Sequence, residues 1–163
     1  MKLFGLLLLL IAAVSCGCHA ADGLRKRVIR LQQLRRMLNA ITIHLRYTLP
    51  TVQELLKLLS EDPDYTALPF LYQAAADPSN FPAAWQKAIS ESHGLSHEEV
   101  TLLHRLGHTL GTTDLEGQLS ALALCDQQLA ALQQKAAAHA DSHGTLYRTM
   151  GVLTGLFLVI LLF

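Results

Sequence analysis

Histidine is the residue type in this chain best placed to do chemistry. Eight occur among 163 residues, and six of them pair at i, i+4: His93/His97, His104/His108 and His139/His143. Two imidazoles at that spacing share a helix face and can hold zinc. His97, His104 and His108 lie within about 40° of one another at about 100° per residue, which makes them the candidate metal stripe. A structural zinc site needs four converging ligands, and no cysteine or acid pattern supplies the remainder. Di-iron bundles use Glu-x-x-His repeats, which the chain lacks. The leucines of the same stretch lie opposite the histidines. The stripe is therefore expected to face solvent or a partner, with no metal or cofactor.

No catalytic residue emerges. H-E-x-x-H, G-x-S-x-G and the P-loop are all missing. Asp114 and Glu116 sit at a helix start, where negative charge complements the helix dipole. Cys16, Cys18 and Cys125 make no C-x-x-C pair. Trp85 reads as a core anchor. The chain is read as a non-enzyme.

The elements that must position these residues follow from composition and periodicity. The chain has 13 basic and 13 acidic residues, is 51% hydrophobic and only 16% charged. Soluble domains usually carry about 25% charged residues. That balance excludes a disordered tail, a disulfide-rich mini-protein and a generally basic nucleic-acid binder. The apolar residues collect at the two ends. Residues 1–21 and 146–163 are expected to be transmembrane anchors: the uncharged run from Leu3 to Ala21 is about 28 Å long as a helix and the final segment about 27 Å. Arg25, Lys26, Arg27, Arg30, Arg35 and Arg36 follow the first run, and only Lys2 precedes it. Positive flanks stay cytoplasmic, so residues 22–145 are expected to form a cytoplasmic helical bundle. The same basic residues suit lipid headgroups better than nucleic acid. A cleaved signal peptide, giving an exported helical protein, is the competing reading of the first segment.

The middle is helical by its periods. Leu24, Val28, Leu31, Leu34, Leu38, Ile41 and Leu45 form one stripe at steps of three and four. Shorter helices follow: one with Val52, Leu55, Leu56 and Leu59, a short one suggested by Leu68, Leu71 and Tyr72, and one with Ala84, Trp85, Ala88 and Ile89 inward. Ser96 and Glu99 form a capping box that opens a helix with Leu103, Leu106 and Leu110. Asp114 caps a last long helix with Leu122, Cys125, Leu129, Leu132 and Ala136. No alternating strand pattern occurs. The expected fold is all-α: an antiparallel bundle of about six helices, flanked by N- and C-terminal transmembrane helices.

A denser pattern lies at Gly107-His108-Thr109-Leu110-Gly111-Thr112-Thr113-Asp114-Leu115-Glu116-Gly117-Gln118. Its key positions are Gly107, Thr109, Leu110, Gly111, Asp114, Glu116 and Gln118. Physics reads it as a helix–turn–helix corner: Gly111 for a left-handed turn, Asp114 as N-cap, Gly107 for close approach. With Tyr147-x-x-Met150-Gly151-x-Leu153-x-Gly155-Leu156 and the apolar end, the pattern resembles the stage III sporulation protein AB family of endospore-forming bacteria. The chain departs from that pattern at His44, where a glutamate is usual, and at Thr48, where a glycine is usual.

The resemblance implies an integral membrane component of the mother cell–forespore channel complex, similar to the F-protein platform of type II secretion. Its implied partners are the companion secretion-type sporulation ATPase and other membrane proteins of the complex. Its implied place is the membrane around the forespore, with the central domain in the mother-cell cytoplasm. A metal-responsive membrane sensor using the His97/His104/His108 stripe is the alternative. The zero net charge divides sharply. Asp22 to Arg46 has seven basic residues and one acidic, whereas Tyr47 to Gly144 has four basic and twelve acidic. A basic helix thus leads into an acidic domain suited to partners.

Overall fold

A computed structural model describes the backbone of residues 2–76 and 80–162. Side chains are described for residues 15, 19, 22–76, 80–144, 146, 149, 150, 152–154 and 157. Six α-helices and a 3-10 turn account for the described residues, and no strand occurs among them. The helices are α1 (Lys2–Tyr47), α2 (Val52–Glu61), α3 (Pro69–Ala75), α4 (Phe81–Glu91), α5 (His97–Thr109) and α6 (Leu115–Leu162). The 3-10 turn, Pro63–Tyr65, sits between α2 and α3.

The chain divides into two compact units, Ile29–Leu132 and the paired ends Met1–Val28 with Gln133–Phe163. The expected boundaries at 21/22 and 145/146 fall inside α1 and α6. Among the described residues no helix is long and apolar enough to cross a membrane. The two expected anchors rest largely on side chains outside the described residues.

In Ile29–Leu132, α2 packs on α3, α3 on α4 and α4 on α5. The α1 stripe supplies Leu31, Leu34, Leu38 and Ile41 to the core, joined by Met37, which the stripe did not include. Burying each such side chain is worth about 1.5–3 kcal/mol. Phe70, Phe81 and Trp85 form the aromatic centre. Phe70 meets Trp85 edge-on at 5.5 Å, and Phe81 lies 5.6 Å from the same ring. The first of these is the arrangement favoured by the ring quadrupoles. On the third helix Tyr72 is 74% exposed. Seven residues make barely two turns, so α3 buries a narrow face, which Phe70, Leu71 and Ala74 fill.

Two capping boxes start helices. Ser96 and Glu99 exchange bonds at the head of α5, and Thr51 and Glu54 do so at the head of α2. Each satisfies two orphan amides. In the unit built from the chain ends, Ala136 is buried, while Leu146, Met150, Val152, Leu153 and Phe157 are 47–63% exposed.

Candidate functional site

The α5–α6 corner gathers the dense motif, and its residues serve one another. Trp85 on α4 reaches α5, where its indole Nε1 donates to Leu103 O at 2.8 Å. Gly107 lies beneath that ring. A Cβ there would stand 2.2 Å from Trp85 Cδ1, so only a hydrogen fits. The backbone N–H of Leu110 donates to Leu106 O at 3.0 Å, and the Leu110 side chain is 4% exposed. Gly111 then turns the chain at φ 77°, and a Cβ on it would meet Val52 at 2.9 Å.

The α6 side closes the turn. Asp114 Oδ1 accepts from Gly117 N–H at 3.2 Å, the N-cap bond. Gln118 spans the gap: its Oε1 accepts from Gly111 N–H at 3.3 Å and its Nε2 donates to Thr113 O at 2.8 Å. Thr109 Oγ1 donates back to Arg105 O at 3.1 Å. Glu116 is exposed in the first turn of α6, where its negative charge complements the positive end of the helix dipole. Nothing in this arrangement presents an activated nucleophile or an acid–base pair. It is a joint: the indole and Gly107 hold α4 on α5, and Asp114 and Gln118 close the turn into α6.

The histidine stripe does not assemble. Among the described residues no three His, Cys, Asp or Glu side chains gather as metal ligands. His97, His104 and His108 share a helix, but Gln86 Nε2 lies 2.8 Å from His108 Nε2 and draws that ring to α4. His139 and His143 behave differently. Their ring centres lie 4.2 Å apart with a 34° tilt.

The basic residues after the first apolar run divide by position. Arg25, Lys26 and Arg36 are exposed, and Arg27 is half-buried. Arg30 turns into the bundle, donates to Gly94 O and lies 3.6 Å from Glu99 Oε2. Glu99 is fully buried. It cements α1 to the head of α5, a role that periodicity could not reveal because the partners are 69 positions apart. Arg35 makes a two-pronged pair with Asp126, Nε to Oδ1 at 2.8 Å and Nη2 to Oδ2 at 3.2 Å. That hydrogen bonding raises the affinity of the guanidinium for its proton above the ordinary arginine value. The pair is more than a third exposed, so it adds about 0–1 kcal/mol.

One further feature lay outside the sequence reading. Leu49, just past α1, adopts φ 48° and is 65% exposed. Left-handed backbone on a bulky residue costs roughly 1–2 kcal/mol. Cys125 faces the α5–α6 seam beside Leu102, Arg105, Leu106 and Leu124. Burial, then the nearby Asp126 charge, pushes its thiol up to about 11.

Residues 2–163 match the family profile of stage III sporulation protein AB. Stage III sporulation protein AB of Bacillus subtilis (strain 168) is 24% identical over 169 residues, covering 99% of each chain. No solved structure matches the chain.

Proposed function

The chain belongs to the stage III sporulation protein AB family, which gives it a role in sporulation, and we propose that it acts there as a membrane-held platform. In this reading residues 1–21 and 146–163 anchor it in the membrane around the forespore, and residues 22–145 stand in the mother-cell cytoplasm. The domain docks the companion secretion-type ATPase and other membrane proteins of the channel complex, as the F-protein platform does in type II secretion. Lipid headgroups take Arg25, Lys26 and Arg36.

The observation that carries the reading is the exposed apolar run on α6. Leu146, Met150, Val152, Leu153 and Phe157 all show about half or more of their surface. Clustered large apolar side chains on one short stretch mark a membrane or protein contact. The joint at Gly107–Gln118 supports a positional role, since its side chains hold helices together and leave no reacting group. The mechanism is then geometric: the anchors fix the location of the domain, and the acidic surface of residues 47–144 receives a partner of opposite charge.

Co-purification from detergent-solubilised sporulating cells tests the docking. The expected result is recovery of the ATPase with the full chain. Absence of that interaction, together with normal sporulation after deletion, overturns the platform reading. Protease access in intact cells tests the anchors separately. Protection of residues 22–145 is expected, whereas digestion from outside, with a mature N-terminus near Ala21, means export.

A further inference from the structure

Four large apolar side chains stand in water at the α1–α2 corner: Ile43, Tyr47, Leu49 and Leu58 are 50–83% exposed. Leu49 and Leu58 line one open cavity of about 380 Å³ with His44, Pro50 and Leu55. The left-handed backbone of Leu49 holds that side chain at the cavity mouth. A bulky residue kept strained with its side chain in water gains nothing within the isolated chain. Strain of this kind collects at functional sites.

The two helices run side by side in opposite directions. His44 shares the cavity with Leu58. Further back along α1, Gln33 Oε1 accepts from Ala67 N–H at 2.9 Å. Burial, then the charges of Asp62 and Asp64, hold the Tyr65 phenol above its ordinary value, and Arg36 acts against them, so these groups are neighbours. The charges divide between the helices. Residues 29–47 contain no acidic residue, and Arg36 and Arg46 are exposed there. Residues 52–65 expose Glu54, Glu61, Asp62 and Asp64 against Lys57 alone. Arg36, Arg46, Glu61, Asp62 and Asp64 form no ion pair among the described residues. At about 100° per residue, Arg36, Ile43 and Tyr47 fall within about 40° on α1, and Glu54, Leu58 and Glu61 within about 60° on α2.

We propose that this α1–α2 face is the contact for a second copy of the chain, related by a two-fold axis. An axis between the two helices lays each α1 over the other copy's α2. The basic strip then meets an acidic strip twice over. Each Leu49 stands opposite the other copy's cavity, so knob and hole match. The centre is apolar and the rim charged, which is the anatomy of a specific interface. Both strips are used up within the pair, so the contact closes at two copies. An anionic lipid surface is repelled by the acidic strip, and a partner of one charge sign matches only one of the two strips. The pairing goes beyond the platform reading and does not depend on it. Arg36, given there to lipid headgroups, is bound here by the second copy, and Arg25 and Lys26 remain for lipid.

The test is the protein mass of the purified full chain in detergent micelles, followed by sedimentation equilibrium across concentration and salt. A dimer that weakens as salt rises is expected. Arg36→Glu/Arg46→Glu and Glu61→Lys/Asp64→Lys should each weaken self-association by roughly tenfold or more. Mixed one to one, these two chains should pair again, because each strip then meets its opposite in the other chain. Leu49→Gly should also weaken the pair, although it relieves strain in the separated chain. A monomer at every concentration overturns the proposal. So does a dimer that survives both charge reversals, or a mixture that fails to pair. Should a charge-reversed chain not fold, crosslinking decides. On mild oxidation Leu58→Cys should join two copies much faster than Leu124→Cys, which is exposed on α6 away from this face. Equal rates overturn the proposal.

Discussion

Two of the corners in the Ile29–Leu132 unit at which the backbone is left-handed differ in what the turn costs. At the α5–α6 corner the residue is Gly111, φ 77°, with Val52 pressed against it and Leu110 buried beside it. At the α1–α2 corner the residue is Leu49, φ 48°, with most of its side chain in water. His44 O accepts from both Thr48 N–H and Leu49 N–H there, so the helix end is satisfied although the turn residue is strained. The first corner is a place where local backbone need and long-range packing ask for the same residue. In the second, only hydrogen bonding is met. Rigidity at a helix joint therefore comes from coincidence of these demands rather than from the turn alone.

The contrast can be broken first at Gly107. Gly107→Ala puts a methyl group into the Trp85 ring and is expected to cost about 1–3 kcal/mol, read as a lowered midpoint in chemical denaturation of the full chain. An unchanged midpoint would mean that Trp85 moves freely and that the corner is not tightly packed. Next, Gly111→Ala meets both an unfavourable φ and the Val52 methyl, for about 1–2 kcal/mol of lost stability. The opposite sign is expected at the other corner. Leu49→Gly relieves the strain and should raise stability by about 0.5–1 kcal/mol in thermal melting. A loss instead would show that the exposed leucine makes a contact worth more than its strain.

The smallest effect is acid sensitivity of the second corner. Hydrogen bonds from the Thr51 backbone N–H and then its hydroxyl hold the Glu54 carboxyl below its ordinary value. A carboxyl lowered in the folded state lends stability above its unfolded value and loses it as pH falls through the lowered one. Amide exchange at the head of α2 should quicken over that acidic range. Glu54→Gln should remove the pH dependence, whereas Thr51→Ala, which keeps the backbone N–H, should only lessen it.

Helix existence was legible because Leu31, Leu34, Leu38 and Ile41 repeat at helical steps, and all four are buried. The α5–α6 turn was legible because glycine, aspartate and glutamine have narrow backbone uses near helix ends. The inner face of α3 was not legible, since a short helix offers too few positions for periodicity to show that Tyr72 would lie outside. The Arg30–Glu99 pair was hidden by sequence distance. Arg30 sits among basic residues that all look like a membrane flank, and nothing local marks it as the one that turns inward. The Leu49 strain was hidden for another reason: a departure at Thr48 was visible, but not that the next residue would carry the left-handed turn. Of the histidine pairs, spacing could not say which rings meet, because that depends on what Gln86 does to His108.

Cys125 carries a consequence of a different sort. Alkylating reagents attack the thiolate, and a thiol pushed up to about 11 supplies almost none of it near neutral pH. The group is also buried, 5% exposed, beside a small cavity along the α5–α6 seam. Label can reach it only in the moments when that seam parts. Its modification rate is therefore a clock for the breathing of the bundle, and any ligand that quiets α5 against α6 will slow that clock without touching the cysteine.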